Sequence, residues 1–123
     1  NNSGGAINLA DLNGTNGFRL DGVGTSDDTG EFVGSAGDIN GDGFDDLIIG
    51  APHNFDDFYS GNSFVVFGKS SGFNSTLVLS SLDGNNGFRS NGVAGGDAAG
   101  QAVGSAGDIN DDGFDDLLIG APL

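Results

Sequence analysis

The sequence contains no cysteine, a single glutamate, two prolines and three basic residues in 123 positions. Without cysteine there is no disulfide framework, no thiolate-held metal and no cysteine nucleophile. Arg19, Lys69 and Arg89 face eighteen acidic side chains, and the formal charge is −15. Nucleic acid is excluded as a partner, because neutralising its phosphates needs lysine and arginine. Anionic membrane surfaces are disfavoured for the same reason. No apolar run approaches the length of a membrane span, so bilayer insertion is not expected. The opening Asn1-Asn2-Ser3-Gly4-Gly5 lacks the features of a secretory signal. The shortage of glutamate, lysine and arginine leaves little material for long surface helices.

What is abundant is aspartate and glycine. Seventeen of the acidic residues are aspartate, Glu31 being the exception, and there are 25 glycines. Both residue types favour turns. The aspartates recur between apolar stretches, which suits a cation-binding role better than disorder. A repeat explains the spacing. Leu12-Asn13-Gly14-Thr15-Asn16-Gly17-Phe18-Arg19 returns as Leu82-Asp83-Gly84-Asn85-Asn86-Gly87-Phe88-Arg89. Val33–Asn40 returns as Val103–Asn110, and Asp45–Pro52 as Asp115–Pro122. Every offset is seventy residues.

One period predicts four short strands: Phe32–Asp38, Asp46–Ala51 stopped by Pro52, Ser63–Gly68, and Thr76–Leu82 with Leu77 and Leu79 on one face. Gly/Asn/Asp/Ser clusters separate them. The expected fold is all-β, with β-propeller blades of four antiparallel strands. Residues 1–31 read as the outer strand of a preceding blade, at Ala6–Leu12, plus a connecting loop. Residues 32–101 read as a complete blade with its connecting loop, and residues 102–123 as the first two strands of the next. About one and three-quarter repeats cannot close a ring. The expectation is therefore a part of a longer chain, or a unit that self-associates to complete a ring.

Asp38-Ile39-Asn40-Gly41-Asp42-Gly43-Phe44-Asp45-Asp46 puts oxygen side chains at loop positions one, three, five and nine, and Asp108–Asp116 repeats the spacing. Gly43 and Gly113 allow a turn that a Cβ would resist, so the carbonyls of Phe44 and Phe114 can point inward. The expected ligands are Asp38, Asn40, Asp42, Phe44 and Asp46 in one site, and Asp108, Asn110, Asp112, Phe114 and Asp116 in the other. An all-oxygen donor set suits Ca²⁺ over zinc or copper. Three carboxylates crowded together repel by about 4 kcal/mol per pair at 4 Å and an effective dielectric near 20, and a divalent cation cancels this. An EF-hand is excluded, because position twelve is Ile49 or Ile119 instead of a bidentate glutamate and the flanks read as strands. A turn of the same composition without metal is the competing reading, and two copies with one spacing weigh against it.

The run Val-Gly-Ser-Ala-Gly-Asp, then the loop, then Gly50-Ala51-Pro52 resembles the FG-GAP repeat of integrin α-subunit β-propellers and their bacterial relatives. The namesake Phe-Gly is approximate: Phe32 and Gly34 flank Val33, and the second copy reads Ala102-Val103-Gly104. The resemblance implies a seven-bladed propeller with calcium in the turn between strands one and two. It also implies that calcium stiffens one face while partners bind the opposite one.

Arg19 and Arg89 read as carboxylate binders for a partner or as blade-packing ion pairs, with Asp27 or Asp97 as candidate acids; repetition favours the second reading, and Phe18 and Phe88 are core candidates. His53 has no evident partners for acid–base catalysis, the serines lack a nucleophile-elbow pattern, and Asp46 of the Asp45/Asp46 pair is claimed by the metal loop. No enzyme is expected. Phe55, Phe58 and Tyr59, in the turn between strands two and three, are the candidate partner surface, the equal alternative being that they fold back to cover the blade. The reading is a calcium-binding structural repeat for extracellular or cell-surface adhesion, with an unidentified protein or glycan ligand. A lectin-like propeller and an accessory domain of a secreted enzyme are the alternatives.

Overall fold

The computed structural model describes residues 8–23, 28–53 and 60–122. Eight strands follow in order: β1 (Arg19–Asp21), β2 (Phe32–Gly37), β3 (Asp46–Ala51), β4 (Asn62–Val66), β5 (Thr76–Val78), β6 (Gly87–Asn91), β7 (Ala102–Gly107) and β8 (Asp116–Gly120). The strands β2-β3-β4-β6 form one four-stranded antiparallel sheet in that order. This is the blade, in a partial propeller that is not closed into a ring. β7 and β8 repeat the β2–β3 hairpin with the same register and the same irregularity before the loop.

The blade is apolar on both faces because it lies between two layers. Ile49 pairs with Phe64 and Ile48 with Val65 across the β3–β4 ladder. Alternation sends Ile49, Ala51, Phe64 and Val66 to one side, where Leu20, Phe73, Leu77, Leu79 and Leu82 meet them. Ala36, Ile48 and Val65 turn to the other side, against Val103, Leu117 and Ile119 of the next hairpin. The apolar run Ile48-Ile49 suits a strand covered on both faces, while Leu47, nearer the loop, is exposed. The hairpins approach closely at glycine: a Cβ on Gly50 would run into the Gly100 carbonyl.

The fourth strand is not Thr76–Leu82. Only Thr76–Val78 is extended, and it pairs in parallel with β1 (Arg19 with Thr76, Asp21 with Val78). A 3-10 turn follows at Leu79–Ser81, with Ser81 Oγ donating to the Val78 carbonyl at 2.6 Å. The alternation of Leu77 and Leu79 was a true packing signal, but it marks a segment lying on the blade, not a strand within it. The fourth strand is β6, whose Gly-Phe-Arg-Ser-Asn sequence is polar because it is the sheet edge. In the same way, the described part of Ala6–Leu12 is a 3-10 turn, Leu9–Asp11, capped by Asn8 Oδ1.

Identical turns lead into β1 and β6. Asn13 Oδ1 accepts the N–H groups of Thr15 and Asn16, and Asp83 Oδ1 those of Asn85 and Asn86. The aromatic residues after them are half-buried. Phe18 stacks on Phe73 at 4.2 Å between centroids, and Phe88 tilts against Phe67 at 6.0 Å. No helix among the described residues is long and apolar enough to cross a membrane.

Candidate metal centres

Each loop is wound around its first aspartate. Asp38 Oδ1 accepts from the N–H of Gly41 (2.9 Å) and Asp42 (3.1 Å), and Oδ2 from that of Gly43 (2.8 Å). Asp108 repeats this with Asp112 (3.0 Å) and Gly113 (2.8 Å). Asp42 and Asp112 each accept from the N–H two residues on, at Phe44 and Phe114. The sequence folds this way because the residues at positions four and six take left-handed backbone: Gly41 (φ +75°) and Gly43 (+89°), then Asp111 (+60°) and Gly113 (+89°). The N–H of Gly113 holds the Asp108 carboxyl below the ordinary carboxylate range, with that of Asp112 adding to it. A carboxylate with up to four acceptor sites still has lone pairs for a cation after these bonds.

The loops differ at their closing aspartate. Asp46 is 1% exposed and both its oxygens are engaged, Oδ2 by the Ile39 N–H and Oδ1 by the Gly68 N–H, each at 2.9 Å. Burial pushes its carboxyl up; those two N–H groups oppose the rise, and the charges of Asp42 and Asp38 add to it. Asp116 is half-buried and accepts from Ile109 at 2.8 Å. Asp108, Asp112 and Asp116 present oxygens all within 4.8 Å of one another. The trio Asp38, Asp42 and Asp46 is not gathered to that degree. The all-carboxylate donor set fits a hard divalent cation such as Ca²⁺.

One further group of this kind occurs among the described residues, and sequence reasoning missed it. Asp28, Glu31 and His53 also offer ligand atoms within 4.8 Å of one another. Asp28 pairs with His53 Nδ1, clipping the approach to β2 onto the end of β3. The available signal was a break in the repeat: Asp28 and Glu31 correspond to Ala98 and Gln101.

The remaining candidates fall as follows. Asn40 and Asp42 line a cleft of about 390 Å³ with Lys69, Phe73, Asp83 and Asn86. Asp27, the expected partner of Arg19, lies outside the described residues. Arg19 pairs with Asp21 on its own strand, Nε to Oδ1 at 2.7 Å. Asp97 accepts from the Ala94 N–H instead, closing a turn. Phe55, Phe58 and Tyr59 lie outside the described residues.

The FG-GAP repeat family model matches residues 32–66 and 99–123, the two stretches that hold the hairpins and loops. The chain is 35% identical to integrin alpha-5 of Xenopus laevis over 96 residues, covering 72% of this chain and 8% of that protein. It is 35% identical to integrin alpha-3 of Mus musculus over 102 residues (76% and 8%) and 36% identical to integrin alpha-PS5 of Drosophila melanogaster over 98 residues (76% and 9%). The chain thus spans under a tenth of the length of these curated relatives. The matched repeats are structural modules, not catalytic ones.

Proposed function

The chain carries FG-GAP repeats of the integrin α-subunit kind, and on that premise we propose that it is a calcium-stabilised segment of an integrin-like β-propeller. The observation that carries the calcium reading is the convergence of Asp108, Asp112 and Asp116 on a shared point. The first loop, which winds its backbone in the same way, completes its site when Asp38, Asn40, Asp42, the Phe44 carbonyl and Asp46 draw in around the cation. The second does so with Asp108, Asn110, Asp112, the Phe114 carbonyl and Asp116. Calcium supplies charge neutralisation and a rigid centre there; the chain supplies hard oxygens on a prewound loop.

The residues divide into a preceding blade's outer strand within 1–31, a blade at 32–101 and the opening hairpin of another at 102–123. The blade acts outside the cell or at its surface in adhesion or protein interaction. It works as part of a larger ring, reached by a longer chain or by self-association. Calorimetric titration with Ca²⁺ tests the reading. Two binding events are expected, with a higher melting temperature; no heat and no thermal shift at millimolar Ca²⁺ would refute it. Size in solution with and without chelator tests self-association.

A sugar-binding role is favoured by one feature, the cleft beside the first loop. Amides of Asn40 and Asn86, carboxylates of Asp42 and Asp83 and the ring of Phe73 line it, and that mixture suits a polyol ligand. Glycan-array binding that vanishes on chelation would support this second reading.

A further inference from the structure

We infer that Asp115 is a positioning residue for the first cation loop, acting across the boundary between the two hairpins; this rests on the calcium reading above. Its carboxylate Oδ2 accepts the Asp38 N–H at 2.8 Å, and its own N–H donates to the Asp38 carbonyl at 3.0 Å. Two hydrogen bonds in opposite directions therefore fix the peptide groups on either side of Asp38. The Asp38 carboxylate in turn gathers the N–H groups of Gly41, Asp42 and Gly43. The winding of the first loop is thus anchored to the second loop through one residue, by its side chain and its backbone N–H.

The first loop is shaped to receive this contact. Gly37 has φ +68°, and a Cβ there would collide with the Asp115 carboxylate. A Cβ on Gly41 would lie 2.5 Å from Phe114 Cε1.

Order in the first loop therefore depends on docking of the second hairpin, and cation binding to the first loop strengthens that docking by the same factor. Asp115 also brings negative charge to a crowded acidic region. Its hydrogen bond and its charge are separable, because asparagine keeps an acceptor oxygen and loses the charge.

The test is a Ca²⁺ titration of the whole chain followed by amide NMR, with Gly43 reporting the first loop and Gly113 the second. Asp115→Ala is expected to weaken binding at Gly43 about tenfold, the scale of one charge-assisted hydrogen bond. Asp115→Asn should restore it to within about threefold on the same scale. Asp45→Ala, a control that removes the aspartate at the same loop position from the first hairpin, should leave Gly113 within about twofold. The inference is overturned if Asp115→Ala leaves Gly43 unchanged, if Asp45→Ala weakens Gly113 as much, or if Asp115→Asn behaves like alanine. Absence of any calcium response in the unaltered chain refutes the calcium reading itself, a different result from unequal variants of a chain that binds.

Discussion

Asp46→Asn and Asp116→Asn make the same change at the same loop position, and the structure separates their costs. Asp46 is 1% exposed and receives two backbone N–H groups, from Ile39 and Gly68. Asparagine offers one oxygen, so its amide nitrogen must face the other N–H, donor against donor. An unmatched buried donor costs about 1–3 kcal/mol. Part of this is recovered, because burial and the neighbouring Asp42 and Asp38 already disfavour the charged carboxyl. A net loss of about 1–2 kcal/mol remains in the metal-free chain. Asp116 has one described donor, Ile109, which asparagine still satisfies, so its loss should stay within about 0.5 kcal/mol. For a chain of this length, about 1 kcal/mol moves the melting temperature by roughly 3–6 °C. Thermal unfolding by circular dichroism, in chelator at neutral pH, should therefore show a drop of about 3–12 °C for Asp46→Asn and under about 3 °C for Asp116→Asn. Equal drops, or a rise for Asp46→Asn, would refute the burial argument. In calcium both variants should additionally lose one site's share, about 2.7 kcal/mol when calcium stands at a hundred times its dissociation constant.

In chelator, the raised Asp46 carboxyl means that the fold holds this proton more tightly than the unfolded chain does. Stability should rise as pH falls from neutral towards the carboxylate range, and Asp46→Asn should flatten that rise; a monotonic fall from neutral pH would contradict it. Asp108 acts oppositely: its lowered carboxyl stabilises the fold above about pH 4, and that contribution is lost on further acidification. Gly50→Ala drives a methyl into the Gly100 carbonyl, whereas the nearest atom to a Cβ on Gly120 is 3.4 Å away. Chemical denaturation should show a loss of about 3 kcal/mol for the first and under about 1 kcal/mol for Gly120→Ala. With a formal charge of −15, the chelated chain should melt at a higher temperature in concentrated NaCl, and a fall would show that self-repulsion is not a leading cost.

The hairpins were legible in the sequence because two signals coincide there. Apolar runs mark β3 and β8, and the Asp/Gly loops fix where each chain reverses. The outer strand was not legible, for a physical reason. Gly87–Asn91 forms the exposed edge, so only Phe88 carries an apolar signal, while Leu77 and Leu79 have the pattern of a strand but cover the blade from outside its ladder. At the metal loops, spacing pointed to candidate donors but not to the contacts that hold the closing aspartates. The second oxygen of Asp46 is engaged by Gly68, a residue twenty-two positions away. No local pattern encodes that contact. Asp115 was hidden likewise, since its partner Asp38 is seventy-seven residues away.

The parallel ladder between Arg19–Asp21 and Thr76–Val78 has a consequence for how such a chain can be divided. A segment cut at the seventy-residue period keeps all four strands of its blade but severs that ladder, leaving Thr76–Val78 with unpaired backbone and uncovering Leu77 where Leu20 had met the same core. The unit of sequence duplication and the unit of folding are therefore out of phase, each overlapping the next like a course of roof tiles. Copying a repeat lengthens the array only where an earlier one is present to receive it, and a single tile lifted out has no seal along its upper edge.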